Sequence, residues 1–271
     1  MIKRLLISFL ILFTVNLSLL SAAPNLTAQD ITSGVGITSK KGNQIAHALK
    51  FTSSEGKTVL LSEFFQNERP TVISMVYYSC PLLCSMLTDG KIDVINQIDQ
   101  VIGDDYNVIS ISFDAKDSVQ TSSSFREKHL PRITAEGKEN WVFLTGSQDM
   151  IDALLEDIGY KVMFIPKQGE FAHPSGLVVV RPDGKVSRYL NGMQFPPFDL
   201  KMSLIEAKTQ EKISLLERSL LFCYSFDPDA NSYTIEVLNL MKVAGIMTVI
   251  ILALWIRFFI KRDKHKRKIK G

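Results

Sequence analysis

The chain has 271 residues, a net charge of +3 at pH 7 and three cysteines. The charge is unevenly distributed, because residues 261–271 carry seven Lys or Arg and one Asp. When this tail, Lys3, Arg4, Lys242 and Arg257 are set aside, residues 24–236 bear about −7. An acidic body without a basic patch argues against nucleic acid as a partner. Its roughly 210 residues are enough for one domain with a real core.

The N-terminus has the pattern of a secretory signal peptide. Met1-Ile2-Lys3-Arg4 is basic, residues 5–20 are almost wholly apolar, and the small residues Ser21-Ala22-Ala23 follow. This order predicts a signal peptide over residues 1–23, cleaved near Ala22, with an uncleaved anchor helix as the alternative. Residues 24–44 are then an extended N-terminal segment of an exported protein.

Strand and helix patterns alternate through the next part of the chain. The predicted elements are a hairpin over 51–60 turning at Glu55-Gly56, strands over 71–78, 107–113 and 141–144, helices over 83–102, 118–129 and 148–158, a hairpin over 177–190 and a last helix from 199 to about 216. This order predicts an α/β layered domain over 45–216. Because its last hairpin is antiparallel, the central sheet is expected to be mixed. Residues 217–236 are interpreted as a membrane-proximal linker.

The C-terminal part predicts a membrane anchor. Residues 237–260 are mainly apolar and long enough to span a bilayer, with Lys242 and Arg257 near the two edges. The basic tail 261–271 is expected to stay in the cytoplasm. The predicted protein is therefore single-pass in a bacterial-type inner membrane, with its domain on the periplasmic or extracytoplasmic face. A buried core helix is the alternative, which the basic tail disfavours.

Two cysteines, in Cys80-Pro81-Leu82-Leu83-Cys84, directly follow the strand over 71–78. Proline suits the first turn of a helix, and a helix starting at Pro81 would put Cys80 and Cys84 on one face. Such a thiolate pair can bind a soft metal or form a disulfide. His173, 89 residues after Cys84, adds an imidazole, and thiolates with imidazole suit copper. A plain structural disulfide is the alternative, but so short a loop gives little stabilisation.

These motifs together resemble the Sco/SenC family over about residues 45–210. The resemblance lies in the hairpin before the motif, in Tyr77 to Cys84, in the strand ending at Asp114, and in His173 ahead of the hairpin that turns at residues 181–184. It implies a thioredoxin-like three-layer domain that binds Cu(I) or Cu(II) through Cys80, Cys84 and His173. It also implies a role in assembling the dinuclear copper centre of cytochrome c oxidase. The expected partner is subunit II of the oxidase or another copper-accepting protein.

Three features depart from the usual pattern of the family. Ser85 stands where a second proline is common after the motif, and Ala115 follows Asp114 where a proline is common. Asp114 is expected to hydrogen-bond near the site without being a ligand. The anchor is C-terminal rather than N-terminal, and residues 221–230 before it resemble the tail of a membrane-anchored subset.

Two functions compete at the cysteine pair. The first is a non-enzymatic metallochaperone that holds copper and passes it to its target. The second is a thiol–disulfide oxidoreductase, in which Cys80 attacks a partner disulfide and Cys84 resolves the mixed disulfide. A pure dithiol exchanger needs no distal imidazole, so His173 favours the chaperone. The three residues between the cysteines also depart from the two of thioredoxin-type motifs.

The remaining candidate residues are expected to have structural roles. Cys223 is interpreted as a buried thiol, with an intermolecular disulfide or an occasional bond to the motif cysteines as alternatives. His47 and His129 are expected at the surface, since neither has a partner signal. Core packing is expected for Met75, Met86 and Met193.

Overall fold

The computed structural model describes residues 34–65, 68–80 and 83–269. The side chains of Leu83, Cys84, Gln210 and residues 259–269 lie outside this description. So do the predicted signal peptide, the predicted helix start at Pro81 and the last two residues of the tail.

The chain forms thirteen described strands and six described α-helices. The strands are β1 (Gly36–Ile37), β2 (Lys50–Ser53), β3 (Thr58–Leu60), β4 (Thr71–Val76), β5 (Asn107–Ser112), β6 (Val142–Thr145), β7 (Tyr160–Lys161), β8 (Met163–Ile165), β9 (Glu170–Ala172), β10 (Gly176–Val180), β11 (Val186–Asn191), β12 (Tyr224–Asp227) and β13 (Ser232–Ile235). The helices are α1 (Leu83–Ile95), α2 (Val119–His129), α3 (Gln148–Asp157), α4 (Pro197–Ala207), α5 (Leu215–Cys223) and α6 (Val237–Ile269).

Seven strands form one mixed sheet in the order β11-β10-β4-β5-β6-β2-β3. The three strands β4, β5 and β6 are parallel, whereas β10 and β2 pair antiparallel on either side of them. Parallel neighbours need a crossover, which α1 supplies between β4 and β5 and α2 supplies between β5 and β6. The predicted α/β domain with a central mixed sheet is confirmed.

The core lies on the central strands of this sheet. Every residue of β4, β5 and β10 is buried, as expected of strands covered on both faces. The cysteine motif therefore follows one of the three fully buried strands of the domain. A rigid strand fixes where the loop after it begins, so the position of Cys80 depends on the core.

The predicted elements hold with two corrections. The helix predicted over 83–102 ends at Ile95, where the Asn96 side chain instead accepts hydrogen bonds from the Thr134 and Ala135 N–H groups. The last helix is two helices, because α4 ends at Ala207 and Lys208 adopts an extended conformation. Ser214 then caps α5 and forms a capping box with Glu217.

The residues interpreted as a linker, 217–236, contain ordered elements. They include most of α5 and the antiparallel hairpin of β12 and β13. Tyr233 of this hairpin donates its N–H to Asp199 of α4 at 2.9 Å. The Asn231 side chain exchanges two hydrogen bonds with the Asn191 backbone. The hairpin is thus attached to the domain by side-chain contacts.

A small separate unit comprises residues 34–36 and 161–173 of the described chain. Its hairpin pairs β8 with β9, with Phe164 opposite Phe171 and their rings 5.1 Å apart. Gly169 in the turn has a φ of 68°, a conformation that favours glycine. His173 is the last residue of this unit.

The C-terminal helix α6 contains a stretch long and apolar enough to cross a membrane. This stretch is Val237–Phe258, with a mean hydropathy of 2.2 and no residue buried against the rest of the chain. A core helix of this length would be covered by other elements, so the alternative of a buried helix is not supported.

Candidate metal centre

Cys80 lies in the turn that follows β4, and its side chain is half-buried. Its N–H donates to the Tyr77 carbonyl at 3.2 Å, which closes the turn. Described helical residues start only at Leu83, so Cys80 precedes the described helix rather than lying within it. Cys84 is in the first turn of α1. The structure does not describe the Cys84 side chain, so the prediction that Cys80 and Cys84 share one face of a helix is not tested.

A buried carboxylate, Asp117, holds the turn that leads to Cys80. Its Oδ2 accepts the Tyr78 N–H at 2.6 Å, and its Oδ1 accepts the Ser79 hydroxyl at 2.7 Å. The Ser112 hydroxyl at the end of β5 also donates to Oδ2, at 2.6 Å. The Asp117 residue is only 7% exposed. Hydrogen bonds to a buried charged acceptor are strong, so this carboxylate fixes the two residues before Cys80.

Asp117 was missed from the sequence, where Asp114 was the expected hydrogen-bonding carboxylate. The Asp114 carboxylate instead accepts the Lys116 N–H at 2.9 Å, within its own turn. Asp117 stands directly before Ser118, which caps α2, and Asp-Ser before a helix is an ordinary capping pattern. The residues next to Asp117 therefore give no sign that its carboxylate hydrogen-bonds to a different loop.

Sheet register brings the start of β10 to the same end of the sheet as the cysteine turn. Leu177 is paired with Ser74 and the strands are antiparallel, so the residues before Gly176 lie beside the end of β4. The Tyr160 hydroxyl donates to the Pro174 carbonyl there. His173, which is half-buried, is the residue before Pro174.

No group of three or more His, Cys, Asp or Glu suited to a metal ion occurs among the side chains that the structure describes. That set excludes Cys84, one of the three expected ligands. The three-residue site of Cys80, Cys84 and His173 therefore remains a prediction.

An uncharged polar cluster surrounds a buried lysine on α1. Lys91 is fully buried, and its Nζ hydrogen-bonds to the Ser74 hydroxyl and, at 2.7 Å, to the Ser110 hydroxyl. The same nitrogen lies 4.0 Å from the centre of the Trp141 ring. Burial lowers the pKa of Lys91 well below its usual value. Because Lys91 follows Cys84 by seven residues, it lies two turns further along the same side of α1.

Three expected surface or core positions are wrong. His129 is fully buried rather than at the surface, with Nδ1 bonded to the Phe125 carbonyl at 2.8 Å, and burial lowers its pKa. Met86 and Met193 are 44% and 36% exposed rather than in the core, and both line an open cleft of about 550 Å³. Met75 is fully buried, as expected.

The remaining two candidates are at or near the surface. His47 is exposed, as expected. Cys223, at the end of α5, is a free cysteine of intermediate exposure rather than the buried thiol that was expected. It ends a helix whose outer side faces solvent, and so only part of the side chain is covered.

The chain matches the family model described as SCO1/SenC over residues 37–204. A curated relative, the SCO1 protein homolog of Bacillus subtilis (strain 168), is 28% identical over 155 residues, covering 55% of this chain and 75% of that protein. The residues matched by the family model include the cysteine motif.

Solved structures of Sco proteins are similar to this chain. BsSco, a member of the Sco family of cytochrome c oxidase assembly proteins with an identified disulfide switch, is 24% identical, with a TM-score of 0.51 over 64% of this chain and 98% of that one. Copper-bound ScoI of Bradyrhizobium japonicum is 19% identical, with a TM-score of 0.45 over 62% and 98%. The first likeness confirms the thioredoxin-like fold of the domain.

Proposed function

The chain belongs to the SCO1/SenC family, whose members are associated with copper binding and cytochrome c oxidase assembly, and on that premise we propose that it is a membrane-anchored copper chaperone. Its cargo is one copper ion, bound by Cys80, Cys84 and His173. Its acceptor is the subunit II that carries the dinuclear copper centre. The observation that supports this proposal is the register of β10 with β4, since the first residue of β10, Gly176, comes three residues after His173 and β10 begins at the sheet end where β4 leads into the cysteine turn.

The ligand set suits a metal that is held and then released. Two thiolates bind Cu(I), and a borderline imidazole lets the same site accept Cu(II). Cys80 is half-buried, so a thiolate of the acceptor has access to a copper ion bound there. Transfer then proceeds by exchange, as each acceptor ligand displaces one ligand of the donor.

The surrounding residues prepare the site before copper arrives. Asp117 holds the backbone of Tyr78 and the Ser79 hydroxyl, which fixes the direction in which the chain reaches Cys80. On the other side, Tyr160 holds the Pro174 carbonyl next to His173. Ligands that are already oriented lose less conformational entropy on binding.

The proposed topology places the domain outside the cytoplasm. The helix α6 spans the membrane over Val237–Phe258, and the Lys- and Arg-rich tail remains in the cytoplasm. Preceding residues, including the signal peptide over 1–23, deliver the domain to the face where oxidase copper centres are assembled. Protease added to intact spheroplasts should digest the domain and leave the tail protected.

The competing function is thiol–disulfide exchange by the same cysteines, and one substitution separates the two. In the full chain, His173→Ala should weaken Cu(II) binding far more than Cu(I) binding, because two thiolates alone hold Cu(I) in linear geometry. Disulfide exchange with a small-molecule disulfide should be unchanged. Either Cys80→Ser or Cys84→Ser should abolish copper binding and disulfide exchange alike. The matched control is His47→Ala, which removes an exposed imidazole from another part of the chain.

The deciding measurement is oxidase assembly in cells. The chaperone function requires the His173→Ala strain to assemble less cytochrome c oxidase, and copper supplied in excess should restore part of the loss. Normal assembly in that strain would mean that the imidazole is dispensable. The dithiol exchanger would then be the better description.

A further inference from the structure

Helix α5, just before the membrane segment, presents apolar side chains to solvent. Leu215 is 83% exposed, Leu216 is 74% exposed and Phe222 is 45% exposed. Ile235, at the end of β13, is 53% exposed. We call these four residues the membrane-proximal face. Monomeric proteins seldom leave contiguous apolar side chains in water without a binding role.

The opposite side of α5 is attached to the domain. Leu220 and Leu221 pack against a small core formed by Met202, Ile205 and Tyr233. The orientation of α5 is therefore set by packing on its inner side. Leu215 and Phe222 are seven residues apart and share the outer side. Their exposure is a consequence of how the helix is docked.

Two hydrogen bonds tie the end of α5 to the beginning of α6. The Asn239 side chain donates to the Phe222 carbonyl at 2.9 Å, and the Glu236 N–H donates to the Cys223 carbonyl at 2.7 Å. Asn239 belongs to the first turn of the helix that contains the apolar stretch. Phe222 is thus at the level where that stretch begins.

We propose that the membrane-proximal face lies on the outer surface of the phospholipid bilayer, in the headgroup region. The inference rests on the proposed anchoring by α6. Lipid is the occupant because the face is continuous with the start of the apolar stretch. Helices that lie in this region bury their apolar side about 5–10 Å deep and carry basic residues beside it. Arg218, exposed on α5, supplies such a charge for lipid phosphate.

The contact with lipid fixes the orientation of the whole domain. The Arg188 guanidinium lies 4.4 Å from the Phe226 ring and is paired with Glu206, which also accepts the Tyr233 hydroxyl. Those contacts join β11, α4 and the β12–β13 hairpin. A domain fixed in this way to a helix on the membrane surface keeps one side toward its membrane-bound acceptor.

The test uses fluorescence quenching in the full chain, reconstituted in phosphatidylcholine vesicles with bromine near the headgroup end of the acyl chains. Phe222→Trp and Leu216→Trp are made in a Trp255→Phe background, so that buried Trp141 is the only other tryptophan. The control is Ser124→Trp, exposed on α2, which packs against β6 and β2 about 20 Å across the sheet from β11. Phe222→Trp exchanges one aromatic ring for another, and far-UV circular dichroism checks the fold.

The fluorescence contributed by Trp at 222 and 216 should fall at least about twofold in brominated vesicles, since the headgroup region lies within reach of these bromines. The Ser124→Trp fluorescence should not change. If the bromines quench Trp at none of the three positions, the inference is overturned. Another protein would then be the occupant of the face. Trp255 in the unsubstituted chain reports separately on α6. If Trp255 is quenched and positions 222 and 216 are not, the anchor stands and only the surface contact fails, whereas an unquenched Trp255 overturns both.

Discussion

Replacement of the buried lysine on α1 should change the pH dependence of stability in a way that no surface lysine can reproduce. Lys91 has only uncharged hydroxyl groups and the Trp141 ring as described partners, and its pKa is lowered by burial. A neutral amine can accept a hydrogen bond from a serine hydroxyl, which an ammonium cannot. Burial therefore favours the neutral amine of Lys91 in the native state.

The sign and size of the effect follow from proton linkage. Because burial lowers the pKa of Lys91, the folded chain loses this proton at a lower pH than the unfolded chain, which keeps it up to about pH 10.4, so stability rises with pH between the two. From pH 8 to pH 10 this one group should add at most about 2.5 kcal/mol to the free energy of unfolding. Lys91→Met lacks this pH-dependent contribution to the free energy of unfolding. It keeps the volume of the side chain and leaves Ser74 and Ser110 bonded to each other at 3.0 Å.

The assay is urea unfolding of the full chain in detergent with reductant, at pH 8 and pH 10. Trp141 fluorescence reports on the domain because its ring contacts the lysine. Lys91→Met should be more stable than the unsubstituted protein at pH 8, and its advantage should shrink by up to about 2.5 kcal/mol at pH 10. The exposed Lys128→Met should keep the original pH dependence. If Lys91→Met and the unsubstituted protein change equally with pH, Lys91 is charged in the native state and the reasoning fails.

Three further predictions concern residues near the site and near the membrane. Asp117→Ala removes the acceptor of three hydrogen bonds and should lower the free energy of unfolding, measured by urea denaturation, by about 3–5 kcal/mol. The control Asp114→Ala should lower it by less than about 1 kcal/mol. Equal losses in the two variants would contradict the role assigned to Asp117. Gly90→Ala places a methyl group 1.8 Å from the Met193 carbonyl oxygen and should destabilise the folded domain by about 1–3 kcal/mol, although alanine has the better helix propensity. An unchanged melting temperature would show that the loop around Met193 moves to make room. Cys223→Ser should leave copper stoichiometry unchanged, and a loss of metal would mean that the ligand set is wrong.

Most of the central sheet was predictable because its strands are short segments rich in Val and Ile. Residues 71–76 and 107–112 are buried throughout, although Thr, Ser and Asn stand among their apolar residues. The hairpin at Gly56 was equally clear, since its φ of 79° requires a residue that tolerates the left-handed region. The SCO1/SenC family followed from motifs spaced along these same elements.

The parts that could not be predicted depend on contacts distant in sequence. Asp117 acts through donors from two other segments, and the capping position of the next residue hides this role. The burial of His129 is an exception, since its described ring contact is local: its ring lies 4.2 Å from that of Phe125, one turn earlier on a helix whose residues are mostly polar. The break after Ala207 did leave a signal, because Ser214 and Glu217 have the spacing of a capping box.

The connection between β13 and α6 limits how far the domain can travel. Only Glu236 stands between Ile235 and Val237. A flexible linker of twenty residues would let a tethered domain explore roughly 25 Å around its anchor. With one residue, and with α6 anchored as proposed, Cys80 stays at a nearly constant height above the bilayer. The proposed acceptor in the same membrane would then have to present its cysteines at that height, so the search for it becomes a two-dimensional one in which matching heights raise the effective concentration.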